Sequence, residues 1–144
     1  MKNIKSLLSL FSLLLFLSCS DDDNVIAPTE TLTGNWTLIT ASGTIAGTTD
    51  EFPHGRIVWK FNTNNTVTIV NNNTDESLQS GLPSGTYPYT VSNNSEIVGC
   101  EKSIILTGID YGCLNISDTE MHIDQGIADG INYHFEKLIP FETN

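Results

Sequence analysis

Histidines, cysteines and aromatic pairs are the side chains of this sequence whose spacing could support chemistry. His122 and Asp124 are two residues apart, and an extended strand puts such neighbours on one face. His134 lies in the next alternating run and would face them if the two runs pair as a hairpin. Two imidazoles and a carboxylate form a ligand set suited to zinc or iron. The same pattern is also what the solvent side of a closing hairpin presents, and that reading is adopted here, with no metal assigned. His54 is remote in sequence from both. The run 124–130 has two aspartates beside glycines but lacks the oxygen ligands at every second residue that a calcium loop uses, so it reads as a turn. No serine sits in a Gly-x-Ser-x-Gly elbow, and no glycine-rich loop precedes a helix. No catalytic residue and no cofactor are assigned, and the expectation is a protein that is not an enzyme.

The aromatic pairs are Trp59 with Phe61, Tyr87 with Tyr89, and Tyr133 with Phe135, each sharing one face of an alternating run. Two arrangements are open for these six side chains. They converge on a cavity for a small apolar or aromatic ligand, with phenol hydroxyls as polar handles, or they fill a core.

The elements that must position them are strands. Beyond an N-terminal tether the apolar residues alternate with period two, broken by Gly, Asn, Asp and Ser turns. Strands are expected at 36–41, 57–62, from Val67 to the Asn71-Asn72-Asn73 stop, at 87–91, 96–99, 103–107, 113–116, 121–124 and 131–138. Asn64-Asn65 reads as a hairpin turn, Gly108-Ile109-Asp110 as another, and Pro88 marks an edge or a break. Only 74–79 offers a helical stretch, weakly capped by Asn73. The loops 44–53 and 72–85 are the long ones. About nine short strands at this spacing predict an all-β, single antiparallel barrel or sandwich.

The N-terminus has the layout of a secretory signal. Lys2 and Lys5 precede an apolar run over 7–17, far short of the roughly 20 residues a spanning helix needs. Phe16-Leu17-Ser18-Cys19 resembles the lipobox of bacterial lipoproteins, with Phe16 where that family usually has Leu. The resemblance implies cleavage of a signal peptide at 1–18 and fatty acylation (palmitate and diacylglycerol) of Cys19. It thus implies attachment to a membrane through the lipid, because two or more acyl chains hold firmly where one does not. Ser20-Asp21-Asp22-Asp23 is similar to the acidic tag that some Gram-negative lipoproteins carry behind the cysteine. The tag implies an outer-membrane protein facing the cell exterior, with the periplasmic face as the alternative. An acidic tether over 19–31 then leads to one domain at 32–140.

Loss of Lys2 and Lys5 leaves Arg56, Lys60, Lys102 and Lys137 against 17 acidic residues. Without clustered basic residues the chain has no means of neutralising phosphates, which excludes nucleic acid and electrostatic binding to anionic lipid. In an exported chain Cys100 and Cys113 form an even pair with no neighbouring base or histidine, and a disulfide is expected between them. A loop of this length is worth about 3 kcal/mol in the chain-entropy model.

The first strand opens Leu32-Thr33-Gly34-Asn35-Trp36. Gly34-x-Trp36 at the start of an all-β chain resembles the lipocalins, and more closely small lipocalin-like bacterial lipoproteins. The run Ile131-Asn132-Tyr133-His134-Phe135-Glu136-Lys137-Leu138 looks like the final strand of those domains. The resemblance spans roughly 32–138. It implies an up-and-down β-barrel of eight to nine strands, with Trp36 plugging one end and Lys137 nearest to the role of the family's Arg over that Trp. The family's Thr-Asp-Tyr motif is absent, and Ile109-Asp110-Tyr111 carries no role from it. What it implies for function is binding of a small apolar ligand; an interaction or scaffold protein with a filled barrel, working through its loops, is the alternative.

Mass spectrometry of the exported protein is expected to find it starting at an acylated Cys19. Cys19→Ser should release the chain from the membrane fraction, and retention of that variant would refute the anchor. Replacing Asp21, Asp22 and Asp23 with Ala should diminish labelling of intact cells.

Overall fold

The computed structural model describes residues 31–43, 47–93, 99–126 and 129–139. The signal segment, Cys19, nearly all of the tether and most of the strand expected at 96–99 lie outside the described residues.

Nine strands and no helix are present among the described residues: β1 (Gly34–Gly43), β2 (Thr49–Glu51), β3 (Ile57–Phe61), β4 (Thr66–Asn71), β5 (Gly85–Ser92), β6 (Ser103–Leu106), β7 (Ile109–Ile116), β8 (Glu120–Asp124) and β9 (Ile131–Lys137). From β3 to β9 every strand pairs antiparallel with the next. β1 closes the ring by pairing with β3 on one edge and β9 on the other. The result is an eight-stranded antiparallel barrel of the up-and-down kind, as the alternation predicts, with β2 as an extra strand.

Alternation decides which side chains fill it. In β3, Ile57, Trp59 and Phe61 are buried while Lys60 is exposed. Val67 and Ile69 of β4, Met121 and Ile123 of β8, and Tyr133 and Phe135 of β9 point the same way. An interior of this diameter is just wide enough for such side chains to fill.

Two hairpin turns rest on non-glycine residues in the left-handed region, Asn65 at φ 60° and Thr107 at φ 54°. Asparagine tolerates that conformation through local hydrogen bonding. Thr107 does so beside Gly108, making a two-residue turn. The turn is therefore 107–108, and Ile109 and Asp110, expected in it, belong to β7. Pro88 sits inside β5, where its partner changes: Thr66 of β4 lies opposite Pro88, and Leu106, the last residue of β6, lies opposite Tyr89. Its missing N–H thus falls where no ladder bond is required.

Two elements differ from expectation. β2 lies within the segment read as a loop, because Thr49-Asp50-Glu51 has no apolar alternation to announce it. It forms because β3 covers only the first half of that edge of β1, and β2 takes the free remainder from Thr40 to Ser42. The stretch 74–79 is turn rather than helix. Asn73 Oδ1 accepts the Asp75 N–H and Asp75 Oδ1 accepts the Ser77 N–H, so side chains satisfy the donors a helix would use.

One end of the barrel is sealed by Trp36, which is fully buried and donates from Nε1 to the Leu32 carbonyl at 2.8 Å. Lys137 Nζ stands 5.1 Å from the centre of its ring, a cation–π contact in the place the lipocalin resemblance gives it. The expected Cys100–Cys113 disulfide is present with the Cα atoms 5.6 Å apart, joining the β5–β6 connection to β7.

A bulge between Ile104 and Ile105 shifts the β6–β7 register, so that Asp110 and Gly112 are paired and Tyr111 is left over. Gly112 has φ +142°, and a Cβ there would lie 2.7 Å from the Asp124 carbonyl oxygen. Backbone cannot yield as a flexible side chain does. Gly112→Ala is expected to cost more than about 2 kcal/mol, read as a lower urea midpoint at unchanged slope.

Candidate functional site

The six aromatic side chains singled out by their spacing divide between the barrel interior and its ends. Trp59, Phe61 and Phe135 are at most 1% exposed, with the Trp59 ring 6.2 Å from Phe61 and 5.1 Å from Phe135. Tyr89 meets Phe61 edge-on at 5.1 Å. These four rings touch one another in the geometry favoured by aromatic quadrupoles, so the middle of the barrel is packed core. Tyr87 is half-buried and donates its hydroxyl to the Pro83 carbonyl at 2.9 Å. Tyr133 lies at the end opposite Trp36, because Ala41 late in β1 pairs with it whereas Trp36 pairs with Lys137.

There Tyr133 stacks on Tyr111, with ring centres 5.8 Å apart and planes 17° from parallel. Sequence reasoning left Tyr111 without a role. Strict alternation cannot place it, because the residue left over at a bulge escapes the period-two rule. The two phenols and the loop 73–81 enclose an open cleft of about 390 Å³. Asp75 and Glu76 stand among its polar lining, Leu78 supplies an apolar wall, and no basic residue lines it among the described residues.

The loop is held in place before anything binds. Asn71 Nδ2 donates to the Ser80 and Leu82 carbonyls, both at 3.1 Å. The Gln79 N–H donates to Asp50 Oδ2 at 2.7 Å, which ties the loop to β2. Gly81, at φ +77°, brings its backbone against the rings: a Cβ there would lie 3.6 Å from Trp59 Cζ2 and 3.7 Å from the Tyr111 hydroxyl. A largely pre-formed concave site with few convergent polar groups is the usual form of a small-ligand pocket.

Three groups define its electrostatics. Burial, the neighbouring Tyr133 and a hydrogen bond to it hold the Tyr111 phenol protonated well above the ordinary tyrosine range. Burial also raises Tyr133, partly offset by the hydrogen bond from Tyr111. Ser77, through its hydroxyl and then its backbone N–H, lowers the fully exposed Asp75 carboxyl. Trp59 Nε1 is buried with no hydrogen-bond partner among the described residues. It lies on the same edge of the indole as Cζ2, the edge nearest Gly81. An unmade bond to such a donor costs about 1–3 kcal/mol.

On the outer surface the β8–β9 register places His122 opposite His134, as the hairpin reading requires. The third group drawn to them is Glu120, whereas Asp124 Oδ1 accepts the Gly126 N–H in the turn. His54 is elsewhere, 2.9 Å from Glu136.

A closed eight-stranded antiparallel barrel with a loop-bounded cleft at one end is compatible with a ligand-binding, lipocalin-like domain. No protein-family model, curated protein or solved structure matches this chain.

An unfolded tyrosine ionises near 10, while folded Tyr111 keeps its proton. The stabilising effect is therefore complete below that pH and is lost as pH rises above it. Each such phenol contributes a slope of about 1.4 kcal/mol per pH unit. Urea unfolding between pH 9 and 11 should show this decline, and Tyr111→Phe should make it shallower; an identical slope in the variant would refute the assignment.

Proposed function

We propose that this chain is a lipoprotein held to the outer membrane by acyl groups on Cys19, facing the cell exterior. Its lipocalin-like barrel binds a small uncharged aromatic molecule without transforming it, in the cleft over Tyr111 and Tyr133. The observation that carries the reading is the stacked Tyr111–Tyr133 pair facing the cleft, under a loop pinned in place by Asn71 and Asp50. A ligand carbonyl or hydroxyl beside Gly81 accepts from the Tyr133 hydroxyl, whose oxygen already accepts from Tyr111. The ligand's ring lies against Tyr111 and Leu78. Asp75 and Glu76 at the rim, with no cation beside them, disfavour carboxylates and phosphates. The filled centre limits the ligand to one that lies at the mouth. Because Leu32 lies against Trp36 at the other end, a tether entering there leaves the cleft pointing away from the bilayer.

The second reading, an interaction protein acting through its loops, is favoured by one fact: Trp59, Phe61 and Phe135 occupy the interior that a deep-pocket carrier leaves open.

The neutral fluorophore N-phenyl-1-naphthylamine should bind the mature protein with Kd of about 1–100 µM and be displaced by aromatic alcohols or amides. Thr74→Trp, at an exposed position of the lining loop, should abolish the signal at unchanged stability. No binding of this probe or of aromatic amides would reject the carrier reading in favour of the loop reading.

A further inference from the structure

We propose a divalent transition-metal site, of the Zn²⁺ or Cu²⁺ class, on the outer face of the β8–β9 hairpin, formed by Glu120, His122 and His134. Strand alternation puts Glu120 and His122 on one face of β8, and the antiparallel register sets His122 directly across from His134. The two imidazoles stack with centres 4.4 Å apart and planes 5° from parallel. One ligand atom from each of the three residues lies within 4.8 Å of the other two. Metal–nitrogen and metal–oxygen bonds of about 2.0–2.2 Å place tetrahedral ligand atoms roughly 3.4 Å apart. An imidazole binds a metal in its own ring plane, so coordination turns the two rings out of their parallel stack, and Glu120, at an exposed strand end, closes the remaining distance.

A second observation points to a ligand. His134 Nε2 is buried, yet it has no hydrogen-bond partner among the described residues; Glu120 Oε1 stands off at 3.9 Å. A buried imidazole nitrogen without a partner is a costly arrangement that coordination would relieve.

The surroundings favour a cation. Glu136 lies opposite Glu120 on the same face, and Asp124 is two residues beyond His122. Both have other engagements, Glu136 with His54 at 2.9 Å and Asp124 with the Gly126 N–H at 2.8 Å. They supply field without competing as ligands. Two nitrogens and one oxygen suit zinc and copper over calcium or magnesium, which take oxygen ligands. Three protein ligands leave a coordination position open to water or to a second molecule.

Metal-free mature protein titrated with Zn²⁺ against a chromophoric chelator should bind one ion per chain. Co²⁺ should give the intense visible absorption of a four-coordinate site. His122→Ala and His134→Ala should each weaken binding by at least about tenfold, and the exposed Glu120→Gln by several-fold, with unchanged circular dichroism. His54→Ala should leave affinity unchanged, and a large excess of Ca²⁺ should not compete. The absence of stoichiometric binding would overturn the site, as would undiminished affinity in both His122→Ala and Glu120→Gln, which tests the proposal even if His134→Ala fails to fold. Fluorophore binding at the cleft is read separately and decides nothing here.

Discussion

Pairing of β1 with β9 is the constraint on which the rest of the molecule depends. An antiparallel meander left open would expose two rows of unpaired N–H and C=O groups, and closure removes both. The seam carries the registers Leu38 to Phe135 and Ala41 to Tyr133, so the same contact that seals the sheet also aligns the interior side chains of its two end strands. Trp36 and Lys137 finish it, with the indole inside and the lysine chain lying across the end.

Closure also divides the molecule by face and by end. Inward residues of every strand serve the core, and the packed rings of Trp59, Phe61, Phe135 and Tyr89 leave the barrel centre to cohesion. The cleft accordingly lies at the mouth, where Tyr111 and Tyr133 meet the loop. Outward residues are free of packing duty, which allows a hairpin to carry two histidines and a glutamate side by side without cost to the interior.

Much of this was legible in residue order. Ile57, Trp59 and Phe61 against Val58 and Lys60 determine which way β3 faces, and Gly34-x-Trp36 with Lys137 marks the sealed end. The cysteines announced their bridge because two thiols with no histidine or base beside them have few other uses. What escaped was whatever departs from simple periodicity. Tyr111 is turned by a bulge whose cause, the mismatch between Ile104–Ile105 and Asp110–Gly112, exists only once two strands are paired. β2 has no pattern of its own and exists because β3 is shorter than β1. Glu120 replaces Asp124 beside the histidines because the turn claims Asp124 first, a competition between local hydrogen bonds that spacing alone does not rank. Whether the aromatic pairs would line a void or fill it depended on the number of strands in the ring.

The seam between the first strand and the last has a kinetic consequence. Every other strand pairing in the ring joins near neighbours in sequence and can form as the chain appears. This one spans nearly the whole domain, from Trp36 to Lys137, so its loop-closure entropy is spent before its contacts are gained. The structure has a high contact order, and folding in milliseconds to seconds is the corresponding regime. Until residue 137 is available the sheet has two open edges. A newly made chain thus remains pliable, and exposed to capture by other strands, until its final strand arrives.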